Sequence, residues 1–435
     1  MKPLRTIDTS WDYRGVNTKE YTHCYHNYPA MMIPQIARRL ISESKVKKNS
    51  ILFDPYCGSG TSLVEAQVSG IHSIGTDLNP LARLISETKN THFNFYEIVK
   101  NVAVIKEQCF AFEVSANNEI DFYNTSTYDS KFEDDYLGFI PNFYNREYWF
   151  SKEALLSLGF LKHLIETIPS PELKSFFLVP LSEVARESSY TRNSEFKLFR
   201  IQEEKLHNFK PEVFKKYFIK LERNLMGLKS FNDICQSHSN FAKVYDFNTC
   251  DGIDPNIIPN DSIDVVVTSP PYGDSRTTVA YGQFSMLSSN ILGFENANKV
   301  DKTLMGGKII PHTISEIPKS CSDELQKISE VSEKRFYEVA SFLTDYKNSI
   351  TNVSKVIKKG GRACYVLGNR TVKGIQIPLD YVTVEFFSEQ GYKHLDTIVR
   401  NIPNKRMPKA NSPTNIVGQT SETMNKEYIV ILQKL

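Results

Sequence analysis

The sequence predicts a doubly wound α/β fold with a largely helical insertion, and three observations lead to it. First, the apolar run Ile51–Phe53 is followed by the glycine-rich turn Asp54-Pro-Tyr-Cys-Gly-Ser-Gly-Thr61 and then by a helical pattern. Second, the β-branched run Val265–Thr268 leads directly into Ser269-Pro-Pro-Tyr272. Third, the stretch between them, about residues 95–238, shows no alternation of strands and helices. Open α/β sheets place ligands at the carboxyl ends of strands, where both loops are expected.

The glycine turn indicates a nucleoside site. Gly70 is expected to end the helix Ser62–Ser69, and the next strand, Ser73–Gly75, leads to Asp77. Dinucleotide folds place a ribose-binding acid about twenty residues after such glycines. The absence of a full G-x-G-x-x-G and of G-K-[ST] disfavours a dinucleotide and a nucleoside triphosphate. S-adenosylmethionine, a nucleoside without a pyrophosphate, fits; the alternative is an ordinary flexible turn.

The Ser-Pro-Pro-Tyr loop is suited to holding an exocyclic amine of a nucleobase. Two prolines end the strand because neither can donate a hydrogen bond to the sheet. The Pro270 carbonyl and the Ser269 hydroxyl can accept hydrogen bonds from an amine, and the Tyr272 ring offers a face for stacking. The alternative is an ordinary proline-rich strand exit.

Together the two motifs resemble those of S-adenosylmethionine-dependent amino-methyltransferases of DNA, which have a Rossmann-like sheet. Asp54–Thr61 is similar to the cofactor motif of that family, and Thr268–Tyr272 to its catalytic motif. In the family, Ser-Pro-Pro-Tyr is associated chiefly with cytosine-N4 enzymes, whereas Asp- or Asn-Pro-Pro-Tyr is commoner in adenine-N6 enzymes. The resemblance, which covers roughly residues 20–95 and 240–435, therefore favours the cytosine-N4-specific type.

Further matches extend the resemblance. His26-Asn-Tyr-Pro-Ala-Met-Met-Ile-Pro34 resembles the motif that lines the methionine end of the cofactor, although it also suits a proline-punctuated start to a helix at Gln35–Ser42. Asp77-Leu-Asn-Pro80 is similar to the acidic second motif. Near the cofactor adenine, Asn248 fits the family spacing and Asp246 offers a carboxylate, and the choice stays open.

The resemblance implies a set of site residues, and no metal ligands are expected among them. The cofactor-binding residues are Tyr28, Pro29, Asp54, Pro55, Tyr56, Cys57, Gly58, Ser59, Gly60, Thr61, Asp77, Leu78 and Asn248. The catalytic residues are Ser269, Pro270, Pro271 and Tyr272.

Three segments are expected along the chain. Residues 1–95 carry the cofactor motifs, residues 96–238 form an inserted, mostly helical target-recognition domain, and residues 239–435 carry the catalytic loop. The predicted contacts with double-stranded DNA are the basic residues Arg186, Arg192, Lys197, Arg200, Lys405 and Arg406. The first four alternate with hydroxyl, amide and aromatic groups, a mixture that grips phosphates and reads base edges. A solvated helix face would look similar.

The last segment contains further predicted elements. Strands are expected at Ala242–Tyr245, Ile263–Thr268 and Ala363–Leu367, and a helix at Tyr337–Ile357. Residues 295–330 have few periodic apolar positions, which predicts a mobile loop. The last strand, Tyr428–Leu432, is expected to complete the sheet as a hairpin at its edge.

Composition narrows the function classes. The net charge of +2 does not indicate a polyanion binder, so DNA contacts must come from local patches. Seven scattered cysteines without C-x-x-C spacing indicate reduced thiols and argue against a zinc site. With no run of eighteen apolar residues and no signal-peptide pattern, we expect a cytoplasmic protein without a membrane partner.

The sequence thus predicts a site-specific DNA methyltransferase that modifies the N4 amine of a flipped cytosine in a restriction–modification system, with a separate cognate endonuclease as a conceivable partner. Methylation at C5 requires a cysteine beside a proline, and no Pro-Cys dipeptide exists. The alternatives are an adenine-N6 DNA or RNA base-amine methyltransferase and a non-catalytic DNA-binding protein on the same fold.

Overall fold

The protein is described by a computed structural model that covers residues 3–122, 136–274, 278–313, 316–403, 410–411, 421–422 and 424–435. Lys405 and Arg406, two of the expected DNA contacts, lie outside the described residues. The strands are β1 (Thr6–Ile7), β2 (Ile51–Asp54), β3 (His72–Thr76), β4 (Ala242–Tyr245), β5 (Ile263–Thr268), β6 (Ile357–Leu367), β7 (Thr371–Val372), β8 (Ile375–Gln376), β9 (Tyr392–Asn401), β10 (Ala410–Asn411), β11 (Ser421–Glu422) and β12 (Lys426–Lys434).

The α-helices are α1 (Pro34–Glu43), α2 (Thr61–Val68), α3 (Pro80–Asn90), α4 (Phe95–Phe122), α5 (Arg146–Trp149), α6 (Lys152–Glu166), α7 (Pro171–Glu187), α8 (Val213–Cys235), α9 (Tyr281–Leu292), α10 (Val300–Thr303), α11 (Ser322–Val331), α12 (Glu333–Val356) and α13 (Leu379–Ser388). Pro34, Pro80 and Pro171 occupy the first turns of α1, α3 and α7. Proline suits that position because its fixed φ is helical and the N–H it lacks would be unpaired there.

One eight-stranded sheet organises the described part of the chain, in the order β4-β3-β2-β5-β6-β12-β9-β1. Neighbouring strands from β4 to β6 pair in parallel, whereas β12 is antiparallel to both β6 and β9. From β2 the chain proceeds to β3 and β4 on one side, and from β5 to β6 on the other. This reversal creates a crevice at the carboxyl ends of β2 and β5. The predicted doubly wound α/β fold is confirmed.

Helices cover both faces of the sheet. Along β6, Ala363, Tyr365 and Leu367 pack against a cluster that includes residues of α11, α12 and α13. The alternate residues Cys364 and Val366 pack on the other face against Trp11 and α1. Because side chains alternate across a strand, burial on both faces requires a continuous apolar run, and residues 363–367 of β6 form such a run.

The insertion is helical, as expected. Helices α4, α6, α7 and α8 contribute to a hydrophobic cluster that also contains residues of α3 and α9. The insertion thus packs on elements from both flanking segments. The division at residues 95/96 and 238/239 remains a prediction. No helix in the described ranges is both long and apolar enough to cross a membrane.

Two expectations for the last segment are wrong. The final strand β12 is not a sheet edge, because it lies between β6 and β9 and pairs with both. Residues 295–330 are not a featureless loop: their described part contains α10 and α11, and Leu325 and Ile328 of α11 are fully buried. The apolar positions of α11 are too few to stand out in the sequence.

A side-chain hydrogen bond joins the carboxyl ends of β2 and β5. The Thr268 hydroxyl donates to Asp54 Oδ1 at 2.5 Å, and the Tyr56 backbone N–H donates to the same oxygen at 3.2 Å. Asp54 is buried, and this burial raises its pKa to about 6, although the hydrogen bond from Thr268 partly opposes the shift. Burial disfavours the charged form of a carboxyl group.

We expect the stability of the protein relative to an Asp54→Asn variant to depend on pH. A carboxyl whose pKa is higher in the folded than in the unfolded state stabilises the fold below pH 3.8, and this contribution is lost as the pH rises through about 6. Between these limits the wild type should lose roughly 2–3 kcal/mol relative to the variant. Denaturant unfolding of both proteins at several pH values measures this difference, and a pH-independent difference would contradict it.

Candidate active site

The two motif-bearing loops line one cleft. The glycine turn after β2 contributes to its lining, and so do Ser269 and Pro271 after β5. The cleft encloses about 930 Å³ of space, counting the part open to solvent. Its position at the strand-order reversal is the one expected from the sequence.

The glycine turn is held tightly against α3. Gly58 and Gly60 have φ angles of +49° and +78°, which side chains other than glycine rarely adopt. A Cβ atom on Gly60 would lie 2.3 Å from Ser86 Oγ, so only glycine allows α2 to begin this close to α3. The Gly60 N–H closes the turn by donating to the Cys57 carbonyl at 2.7 Å.

Asp77 ties the turn to the end of β3. Its Oδ2 accepts a hydrogen bond from the Gly58 N–H at 3.0 Å, and its Oδ1 accepts one from the Asn79 N–H at 2.8 Å. Burial raises the pKa of Asp77, while these two backbone donors favour the ionised form. The carboxylate therefore orders the turn and also faces the cleft.

An aromatic pair forms another part of the cleft wall. The rings of Tyr28 and Tyr281 stack with centroids 6.1 Å apart and planes 19° apart. The Tyr28 hydroxyl accepts a hydrogen bond from Asn79 Nδ2 at 3.0 Å, and burial raises the Tyr28 pKa well above its usual value. Tyr28, from the upstream motif, is thus fixed between the acidic motif and α9.

The loop after β4 distinguishes the two candidates near the cofactor adenine. Asn248 lines the cleft beside Phe247 and Thr249. Asp246 is outside the cleft lining; its side chain is 76% exposed and lies 3.6 Å from Arg83 in an ion pair. The structure therefore brings Asn248, and not Asp246, to the cleft.

Most of the expected cofactor and catalytic residues converge here. Those lining the cleft are Tyr28, Pro29, Asp54, Pro55, Tyr56, Cys57, Gly58, Ser59, Thr61, Asp77, Leu78, Asn248, Ser269 and Pro271. Gly60, Pro270 and Tyr272 lie outside the lining, although they belong to the same two loops. Within the described part of the chain, the lining includes the carboxylates of Asp54 and Asp77 but no lysine or arginine.

Tyr281, at the start of α9, also lines the cleft, together with Leu304 and Met305, which sequence reasoning missed. The Asp301 carboxylate holds them together by accepting hydrogen bonds at the start of α9 from the backbone N–H groups of residues 282 and 283, at 2.9 and 3.1 Å. These residues belong to no motif. No local sequence pattern indicates their place in the cleft.

The loop after β5 is anchored by Arg370, which follows β6. Arg370 Nη1 donates to Asp274 Oδ2 at 3.1 Å. A Cβ atom on Gly273 would overlap the Arg370 guanidinium, so a glycine is needed for this approach. The loops after β5 and β6 are thereby locked together.

The basic segment at 186–200 lies beside α9. Arg186 is 5% exposed and donates to the Phe284 and Glu195 carbonyls at 3.0 and 2.8 Å, so its burial does not support the expected DNA contact. Burial lowers the pKa of Arg186 to about 10. Arg192 is exposed, and Lys197 is half-buried.

Arg200 is also half-buried. Its Nε donates to the Tyr148 carbonyl at 3.0 Å, and its guanidinium lies 4.4 Å from the centre of the Tyr148 ring. The Leu198 N–H contacts the Gln283 side chain at 3.4 Å, so this segment adjoins the first turn of the helix whose Tyr281 lines the cleft.

Comparison with known proteins agrees with this geometry. A family model described as DNA methylase, of the N6 and N4 type, matches residues 2–87. The type II methyltransferase M.MvaI of Kocuria varians is 37% identical over 99% of this chain and 96% of its own length. M.BsoBI of Geobacillus stearothermophilus is 21% identical over 96% of this chain and 86% of its own length. M.MjaII of Methanocaldococcus jannaschii is 24% identical over 58% of this chain and 59% of its own length.

The first of these relatives aligns along almost the whole chain, insertion included, so the likeness is not limited to the two motifs. The family depends on S-adenosyl-L-methionine, which confirms the expected cofactor. The chain belongs to the N6/N4 DNA methylase family and is a DNA methyltransferase of the kind found in type II systems.

Proposed function

We propose that this protein methylates the exocyclic N4 amine of a cytosine flipped out of double-stranded DNA, as the modification enzyme of a type II restriction–modification system. The observation that carries the proposal is the Ser269-Pro-Pro-Tyr272 loop at the carboxyl end of β5, which lines the same cleft as the glycine turn through Ser269 and Pro271. A serine at the first position favours cytosine over adenine, following the resemblance described above.

The residues of the cleft fit the cofactor. S-adenosylmethionine supplies an electrophilic methyl group on a positively charged sulfur. Asp77 would accept hydrogen bonds from the ribose hydroxyls, Asn248 would lie near the adenine, and Tyr28 and Pro29 near the methionine end. The carboxylates of Asp54 and Asp77 suit a cation, and the lack of lysine and arginine in the described lining disfavours a pyrophosphate.

The catalytic loop would act chiefly by positioning. A cytosine amine is a weak nucleophile because its lone pair is delocalised into the ring. Hydrogen bonds from the amine to Ser269 Oγ and the Pro270 carbonyl would localise that pair on nitrogen. Holding the amine about 3 Å from the methyl group, in line with sulfur, would then supply most of the rate.

DNA would approach over the segment next to α9. A base paired in a duplex hides its amine, so the cytosine must leave the helix, and the Tyr272 ring would stack on it. In this segment Arg192 is exposed and Lys197 half-buried, and both would contact phosphates, together with Arg200. Lys405 and Arg406 remain candidate contacts on sequence grounds alone.

The first experiment incubates unmethylated DNA with the protein and methyl-labelled S-adenosylmethionine, followed by mass spectrometry of the nucleosides. We expect labelled N4-methylcytosine. In Ser269→Ala the methylation rate should fall by a factor of roughly 10² or more, and an unchanged unfolding midpoint of this variant is the control. Labelled N6-methyladenine would overturn the base assignment. Absence of any labelled DNA base would overturn the proposal.

The ribose role of Asp77 is tested against a matched carboxylate. Asp77→Asn should weaken cofactor binding about tenfold or more, because the amide keeps an acceptor for the glycine turn but loses the charge that strengthens hydrogen bonds from the ribose. Asp246→Asn, at the end of the next strand and outside the cleft, should leave the affinity unchanged. Titration calorimetry measures both, and equal affinities for the two variants would contradict the assignment.

The DNA contacts are tested by salt dependence. Arg192→Ala and Lys197→Ala should each weaken DNA binding and reduce the slope of log K against log[salt] by about 1, since each removes one phosphate contact. Lys393→Ala is the control, because this exposed lysine lies near the amino end of β9, at the opposite edge of the sheet. Slopes identical to that of the control would contradict the placement.

A further inference from the structure

The hydroxyl of Tyr272 lies between a serine and a carboxylate. Its Oη is 3.3 Å from Ser269 Oγ on one side and 3.3 Å from Glu427 Oε1 on the other. Stacking on a base would use only the tyrosine ring, so neither contact is explained by the role proposed above.

The antiparallel direction of β12 brings Glu427 to this place. Because β12 runs opposite to β6 and β9, its first residues lie at the edge where those strands end. Glu427 is directly opposite Arg400 in the register of β12 and β9, and Arg400 Nη1 donates to its carboxylate. Glu427 thus reaches the catalytic loop from a strand that carries no recognised motif.

Arg400 holds the carboxylate in a fixed position. Its side chain is 1% exposed, and it donates to the Trp11 carbonyl at 2.7 Å through Nε and to the Asp12 carbonyl at 3.1 Å through Nη2. A buried guanidinium anchored at two points cannot turn away without losing these bonds, so Glu427 is its necessary counterion. The free Glu427 oxygen is left to face Tyr272.

The chemistry of the donors sets the direction of the hydrogen bonds that join Ser269, Tyr272 and Glu427. A carboxylate only accepts, so the Tyr272 hydroxyl donates to Glu427, and its oxygen can accept from Ser269. A serine hydroxyl has a single proton. Once that proton is directed to Tyr272, Ser269 presents only lone pairs to the cleft, which is the arrangement that an amine donor needs.

We propose that Glu427 is a positioning residue that orients Tyr272 and Ser269 and accepts, through them, the proton released by the amine. The inference rests on the proposed function and requires only an exocyclic amine as the substrate. Attack by the nitrogen lone pair forms the nitrogen–carbon bond, and the carbon–sulfur bond breaks with its electron pair retained on sulfur. The surplus proton on nitrogen passes to Ser269 Oγ as the Ser269 proton moves to Tyr272 and the Tyr272 proton to Glu427.

The relay ends at a carboxyl group that solvent can deprotonate again. Proton transfer leaves Glu427 as the neutral acid, and its side chain is 18% exposed, so water can remove the proton before the next turnover. The separations of 3.3 Å in the chain of hydroxyls are long for O–H···O bonds, and such contacts commonly tighten when a substrate is bound.

The test uses Tyr272→Phe, which removes the hydroxyl and keeps the ring, and Glu427→Gln, which keeps a hydrogen-bonding side chain and removes the charge. In single-turnover methylation of DNA we expect each to lower the rate roughly tenfold or more, with DNA and cofactor affinities unchanged. The double variant should be no slower than the slower single one, because both act on one path. Asp264→Asn is the control, since Asp264 pairs with Lys358 at the opposite edge of the sheet.

Each outcome bears on one proposal. A wild-type rate in Tyr272→Phe would overturn the relay even if Glu427→Gln were unstable, and multiplied losses in a folded double variant would also overturn it. A Tyr272→Phe loss that appears entirely as weaker DNA binding would also overturn it, because that pattern indicates stacking alone. Absence of base methylation by the wild-type protein would instead overturn the proposed function.

Discussion

The pairing of β2 with β5 is the constraint on which the rest of the site depends. Parallel strands end at a common edge of a sheet, so the loops that follow them must meet there. The hydrogen bond from Thr268 to Asp54 joins residues 214 positions apart and fixes this edge. The glycine turn and the Ser-Pro-Pro-Tyr loop are thereby brought to one cleft, although a long helical insertion separates them along the chain.

The insertion contributes to the site through packing. Its helices share a hydrophobic cluster with α3, which supports the glycine turn, and with α9, which carries Tyr281. Arg186 links the segment that follows α7 to α9 by hydrogen bonds to the Glu195 and Phe284 carbonyls. The proposed DNA-contacting segment is consequently attached to the helix whose Tyr281 lines the cleft.

The antiparallel strand β12 also contributes to the site, from the part of the sheet beyond β6. Its place between β6 and β9 lets a strand of no recognised motif deliver Glu427 to the catalytic loop, and the register with β9 supplies Arg400 as the counterion. Arg370 fixes the same loop from the end of β6. The loop is therefore held by side chains from two further strands, in agreement with a site whose proposed chemistry depends on precise placement of an amine.

The sequence by itself determined the central strands, the glycine turn with Asp77, the helical character of the insertion and the residues of both loops, because these depend on local patterns: apolar runs, glycines at positive φ and prolines that end a strand. Only the tertiary structure decided that Asn248 rather than Asp246 faces the cleft, that Arg186 is buried, and that Leu304 and Met305 join the lining. It also decided that β12 is an interior strand. These outcomes depend on which distant elements pack together, and a run of apolar residues looks the same at the edge of a sheet as in its interior.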